Sequence, residues 1–158
     1  MEKRLEIRYE EYEREEMLNE AERELMAAAR EARKSSYSPY SHFKVGAAVR
    51  LKNGEIEKGS NQENLAYPSG LCAERVSLFG ASARWGAECE VEALAITAED
   101  SEGKEAEASP CGACRQVMLE QEMRQGKAIK VMVRLENGSV RVYKSVKSLL
   151  PFAFSAEL

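Results

Sequence analysis

Three cysteines in two clusters constrain this chain more than any other feature. Cys72 stands in Cys72-Ala73-Glu74-Arg75, and the other two stand in Pro110-Cys111-Gly112-Ala113-Cys114-Arg115-Gln116. The two-residue gap between Cys111 and Cys114 lets both sulfurs reach one ion, and zinc prefers thiolate and imidazole ligands. A fold that uses all three must bring position 72 beside 111–114. A lone C-x-x-C has other readings, a redox pair or incidental spacing. Cys-Ala-Glu upstream and a proline directly before the pair make the combination much more specific. The fourth cysteine, Cys89, lies in an acidic, polar stretch with no nearby partner, and the single histidine is His42. A structural zinc site normally has four protein ligands, whereas a catalytic one has three and keeps a position open for water. The ligand count here therefore predicts three thiolates plus water, with His42 read as a structural or loop residue.

Hydropathy patterning supplies the frame around these cysteines. Leu18, Ala21, Leu25, Ala28 and Ala32 follow helical spacing, and Asn19 with Glu22 has the spacing of a capping box. A helix is expected over about 20–34, broken by Ser35–Ser41 with its Pro39. Phe43, Val45, Ala47, Val49 and Leu51 alternate with their neighbours as a strand does, and Asn53-Gly54 predicts a hairpin return over 55–60. A polar loop over 61–70 leads into a helix from about 72 to 83. Val91–Ala98 is a nearly unbroken apolar run, as for a strand buried on both faces. Residues 99–109 read as an exposed acidic loop, 111–123 as a helix, and Ile129, Val131, Val133 and Leu135 as a further strand. Asn137-Gly138 makes a second turn before Val140 and Val142, and 145–150 could form a last helical turn stopped by Pro151. At the other end, the alternation of Leu5, Ile7 and Tyr9 with charged residues fits a short edge strand and a charged arm equally. The order predicts an α/β fold, one mixed sheet with helices on both faces.

On this frame the cysteines fall at the expected N-termini of two helices, where backbone N–H groups and the positive dipole end favour thiolates. Three thiolates on a dication leave one excess negative charge. Arg75, in the same helical turn as Cys72, is the candidate for charge compensation; the alternative is a solvated helix arginine.

Composition narrows the partners. The chain has 158 residues, 44% hydrophobic and 32% charged, with a formal net charge of -4 and no long basic stripe. That fits one globular domain. A nucleic-acid backbone would want clustered Lys and Arg, so a free, uncharged small molecule is the easier substrate. No apolar stretch follows Met1-Glu2-Lys3-Arg4 that could act as a signal peptide, and no run of 18 apolar residues exists to span a membrane. A cytoplasmic protein with reduced thiols is expected.

The chain resembles the small, homotetrameric, zinc-dependent cytidine deaminases. The resemblance runs from about Glu20 to Phe154. It rests on Tyr37–Ala48, on Asn61-Gln62-Glu63-Asn64, on the two cysteine clusters, and on Leu149-Leu150-Pro151 followed by Phe154. It implies a single domain over 1–158, with 1–19 as an N-terminal extension. The implied fold is a three-layer α/β/α arrangement around a five-stranded mixed sheet. It implies Zn2+ on Cys72, Cys111 and Cys114, and Glu74 as a proton shuttle that does not ligate the metal. Asn61 and Glu63 resemble the pair that hydrogen-bonds the sugar hydroxyl, and Phe43 the aromatic packed on the base. The backbone at Ala73 and Ser109 is similar to the family's contacts to the base's oxygen and exocyclic amine. Phe154 resembles an aromatic lent by a neighbouring subunit; an intramolecular core contact is the alternative. The implied reaction converts cytidine or deoxycytidine to the uridine product plus ammonia.

Three departures stand beside the resemblance. The family usually continues Gly-Pro after the last phenylalanine, whereas this chain has Ser155-Ala156 and then reaches Leu158. Residues 1–13 have no counterpart in the shortest members, and the loop over 99–109 is longer than usual. Rival readings are a deaminase of a related nucleoside such as blasticidin or a modified cytidine, a polynucleotide editor disfavoured by the acidic balance, and an idle zinc-binding module.

Overall fold

The computed structural model describes residues 1–155. Its strands are β1 (Glu10–Tyr12), β2 (Lys44–Leu51), β3 (Ile56–Ser60), β4 (Val91–Glu99), β5 (Glu105–Ala106), β6 (Lys130–Arg134) and β7 (Val140–Tyr143). Its helices are α1 (Glu20–Ala32), α2 (Ala73–Trp85) and α3 (Gly112–Gln125). The sheet runs β1-β7-β6-β4-β2-β3, with β5 pairing beside the end of β4. Among the described strands only β4 and β6 are parallel, joined through α3; the other strand pairings are antiparallel, so the sheet is mixed.

Alternation along the strands sorts the two faces by size. Ala93, Ala95, Ala48, Met132, Val140 and Val142 pack with Leu25, Met26 and Ala29 of α1. Leu94, Ile96, Val49, Val131, Val133 and Tyr143 pack with Leu78 and Ala81 of α2 and with Met118 and Leu119 of α3. The alanines let α1 lie close on its face. The larger residues fill the wider space beneath two helices, as period-two side-chain direction requires. This is the three-layer α/β/α arrangement anticipated from the sequence.

Two glycines mark where helix backbone touches sheet. A Cβ on Gly46 would lie 2.0 Å from the Ala29 carbonyl oxygen, and one on Gly59 would lie 2.4 Å from the Ser77 nitrogen and 2.6 Å from the Ala73 oxygen. The second contact seats the first turns of α2 against β3. At the start of α1, the capping box of Asn19 and Glu22 forms as the spacing predicted.

The sheet carries two strands beyond the expected five. The N-terminal alternative resolves as strand β1, but at Glu10–Tyr12 on the free edge of β7, while Leu5 and Ile7 stay exposed. The acidic stretch over 99–109 is not simply a solvated loop. It turns at Gly103 and returns as β5, where Glu105 is partly buried and accepts from Arg33 Nη2 at 2.9 Å. Hydropathy missed this element because it is a two-residue strand held by backbone pairing and ion pairs, with Ala108 the small side chain that packs on the core. The last helical turn is a 3-10 turn at Val146–Ser148. No helix among the described residues is long and apolar enough to cross a membrane.

Candidate metal centre and cavity

Cys72 is the N-cap of α2 and Cys111 the N-cap of α3, and Cys114 follows in the first turn of α3. The two helices point their N-termini at one spot. The three sulfurs all lie within 4.8 Å of one another, and Cys72 Sγ is 3.7 Å from Cys111 Sγ. Sulfurs sharing one tetrahedral ion at zinc–sulfur bonds of about 2.3 Å would be separated by about 3.8 Å. The donor set therefore fits zinc. Cys89 is buried elsewhere, in the core beneath α2 and α3, and His42 is an exposed turn residue at φ 56°. Neither belongs to the cluster.

The electrostatics of the cluster are lopsided. The Cys72 thiol is pulled down to about 5, first by hydrogen bonding to Cys114 and further by Arg75, whose Nη2 lies 3.7 Å from its sulfur. Cys114, the buried partner, is pushed up by that same bond and by desolvation. Glu74 sits in the first turn of α2, 4% exposed, and its carboxyl is raised to about 7, chiefly by burial. A carboxyl near 7 both accepts and releases protons at neutral pH. Ala73, between Cys72 and Glu74, is fully buried.

A cavity of about 570 Å³ opens beside Cys72, with Asn61, Glu63, Arg75, Tyr40 and Tyr67 on its walls. That volume lies in the range of small-molecule pockets. Asn61 and Glu63 are already engaged by the protein. Asn61 Oδ1 accepts from Val45 N–H at 2.9 Å and from Ser36 Oγ at 2.6 Å, and its Nδ2 donates to the Phe43 carbonyl at 2.8 Å. Glu63 accepts from the Ser41 hydroxyl, which chiefly holds its carboxyl below the usual range, and from the backbone N–H groups of Tyr40 and Ser41, which add to the effect. Both side chains thus fasten the turn over 38–43 to the cavity rim. Ser36 and Ser41, which do the fastening, were not singled out as site residues from the sequence, although Ser41 lies within the Tyr37–Ala48 stretch; the fold shows their contacts.

The other expected site residues lie outside the cavity lining. Phe43 is half-buried at the entry to β2, and Ser109 is exposed two residues before Cys111, its hydroxyl donating to Glu107 at 3.2 Å. Phe154 is 89% exposed, held by its backbone oxygen, which accepts from Gln116 Nε2 at 2.9 Å. Its ring therefore packs in no core among the described residues, against the intramolecular alternative. Ser155 is the last described residue, so the departure at Ala156–Leu158 lies outside the described residues. Arg115 was not singled out from the sequence. It donates to the carbonyls of Pro110 at 2.7 Å and Leu149 at 3.0 Å, tying the start of α3 to the C-terminal segment.

Fold and site define a three-layer α/β/α protein with a three-thiolate zinc centre at the meeting point of two helix N-termini. Comparison with known proteins narrows the class. A family model described as "Cytidine and deoxycytidylate deaminase zinc-binding region" matches residues 19–130. Cytidine deaminase of Halalkalibacterium halodurans is 39% identical over 133 residues, 84% of this chain and 93% of the relative. That of Sporosarcina psychrophila is 40% identical over 143 residues, 84% and 90% of the two chains. The crystal structure of cytidine deaminase from Burkholderia pseudomallei superposes with a TM-score of 0.72 at 41% identity, covering 83% of this chain and 97% of that one. The chain belongs to the cytidine deaminase family of zinc enzymes.

Proposed function

We propose that the chain hydrolyses the 4-amino group of cytidine and deoxycytidine, giving uridine or deoxyuridine and ammonia, as a step of pyrimidine salvage in the cytoplasm. The observation that carries this reading is Glu74. It is a buried carboxyl in the first turn of α2, two residues from the Cys72 sulfur that shares one cluster with Cys111 and Cys114. A zinc ion held by Cys72, Cys111 and Cys114 would supply the acidified water that free solvent cannot.

The chain's own residues do the rest. Glu74 takes a proton, delivers it to ring N3, and hands a proton to the departing amine, acting as base and then as acid. The backbone at Ala73 and Ser109 contacts the base's oxygen and amine, and Phe43 packs on the ring. Asn61 and Glu63 bind a sugar hydroxyl. Asn61 Oδ1 already accepts two hydrogen bonds, so Asn61 offers its second amide hydrogen and Glu63 a carboxylate oxygen. A carboxylate fixed at the sugar end repels phosphate, which favours nucleosides over nucleotides. Arg75 offsets the third thiolate's charge. Phe154, exposed on its own chain, completes the site of a neighbouring copy, and the assembly is a homotetramer.

The test is ultraviolet detection of cytidine-to-uridine conversion, with and without chelator, beside metal analysis. Parent enzyme should turn over cytidine and lose activity with its zinc. Glu74→Gln should keep stoichiometric zinc and lose about 100-fold or more of kcat. Near-normal turnover by Glu74→Gln removes the proton shuttle from the mechanism.

A further inference from the structure

The two departures of this chain, its N-terminal extension and its long acidic loop, meet each other. Residues 1–18 precede the family match, and β1 lies within them. Glu11 stands directly across from Arg141 in the β1–β7 pairing. Arg141 Nε is 3.2 Å from Glu11 Oε2, its guanidinium lies 5.1 Å from the centre of the Tyr9 ring, and its Nη1 is 3.5 Å from Glu107 Oε1. The same Glu107 oxygen accepts from Ser109 Oγ at 3.2 Å. Extension, arginine, loop and Ser109 thus form one continuous line of contacts that ends two residues before Cys111.

A second bridge runs alongside. Arg134 Nη1 pairs with Glu15 of the extension, and Arg134 Nε is 3.3 Å from Glu105 Oε2 at the foot of the loop. This bridge is the more buried, with side chains of Arg134 and Glu15 only 18% and 15% exposed. Glu105 also holds Arg33, which donates to the Ala98 carbonyl at 2.7 Å, so the loop is pinned at the end of β4 as well. Two arginines on adjacent strands β6 and β7 are therefore each clasped between one extension carboxylate and one loop carboxylate. The β5–β4 pairing and Ala108, packed on the core, also hold the loop, and the two bridges add to those anchors on its charged side.

We infer that the extension is a positioning element for the active site: through Arg141 and Arg134 it fixes the loop that presents Ser109 to the substrate base. The loop's contribution to binding then depends on carboxylates nearly a hundred positions away in the chain. The inference rests on the assignment of the Ser109 backbone to the base's amine. Loosening the loop should therefore weaken the hold on that amine and leave contacts to the rest of the nucleoside intact.

The experiment is a mutant cycle in the full-length zinc enzyme. One variant carries Glu11→Gln and Glu15→Gln on the extension, a second carries Glu105→Gln and Glu107→Gln on the loop, and a third carries all four. KM and kcat for cytidine, Ki for uridine, zinc content and thermal midpoint are measured for each. Both double variants should raise KM for cytidine about fivefold, with zinc content and the Ki for uridine, which lacks the amine, unchanged. The fourfold variant should be no worse than either double, since both break the same line. Additive effects, equal rises in KM and Ki, or a lowered midpoint with unchanged KM overturn the inference. If a double variant fails to fold, Glu11→Gln and Glu107→Gln, at the more exposed bridge, carry the same cycle. Failure of the parent enzyme to convert cytidine would instead defeat the functional reading, so the two failures are distinct.

Discussion

Arg75 Nη2 lies 3.7 Å from Cys72 Sγ, one helical turn along α2 and on the wall of the cavity. The contact keeps a cation at a cluster that would otherwise carry surplus negative charge. Surplus charge on the thiolates would blunt a bound zinc's ability to acidify water. Arg75→Gln should retain zinc but lower kcat about tenfold, while Arg75→Lys should recover part of it. Steady-state kinetics beside metal analysis check this; an unchanged kcat would make the contact incidental.

Burial of Glu74 predicts a pH signature in metal-stripped protein. Its carboxyl is raised from the ordinary 4.5 to about 7, so the folded state binds more protons than the unfolded state between those values. Folding stability from this group is full below about pH 4.5, falls as pH rises to 7, and is flat above, a loss on the order of 3 kcal/mol. Cys72, depressed to about 5, slopes the opposite way over that range. The informative quantity is therefore the difference between Glu74→Gln and parent. Thermal unfolding of the two should diverge in favour of the variant from pH 5 to pH 8; a constant gap contradicts the raised carboxyl.

Asn61 is a hinge pin as well as a proposed sugar contact. Asn61→Ala would strip partners from Val45 N–H, the Phe43 carbonyl and Ser36 at once. A partly buried backbone group left unpaired costs about 1–3 kcal/mol. The thermal midpoint should fall and KM for cytidine should rise together, with zinc content retained. A rise in KM at constant stability would mean that the asparagine serves the substrate alone.

Gly59 holds α2 against the sheet at backbone contact. Gly59→Ala would force the Ala73 and Ser77 backbone outward and carry Cys72 and Glu74 with it. A loss of about 1–3 kcal/mol in stability, with reduced zinc affinity, is expected from denaturant unfolding and metal titration. Normal zinc affinity would show that the first turn of α2 adjusts independently of β3.

Much of this was legible in the chain before folding. Asn19 and Glu22 announced the start of α1, and the Val91–Ala98 run announced the buried β4, because both signals are local. The sulfurs were legible because metal ligation restricts residue type and spacing so tightly. Glu105 and Arg134 were not, since nothing in sequence links charges that meet only through a parallel crossover. Neither was the double duty of Asn61 and Glu63. A polar residue in a loop looks the same whether it greets a ligand or fastens its own backbone, and these side chains fasten theirs.

The sulfurs of Cys72 and Cys111 belong to segments 39 residues apart, at the leading tips of α2 and α3. Whatever grips both closes that stretch of chain into a ring, and a ring has fewer ways to come undone. Metal affinity would then double as resistance to unravelling. In a zinc-starved cell the shortage would then cost surviving molecules as well as turnover.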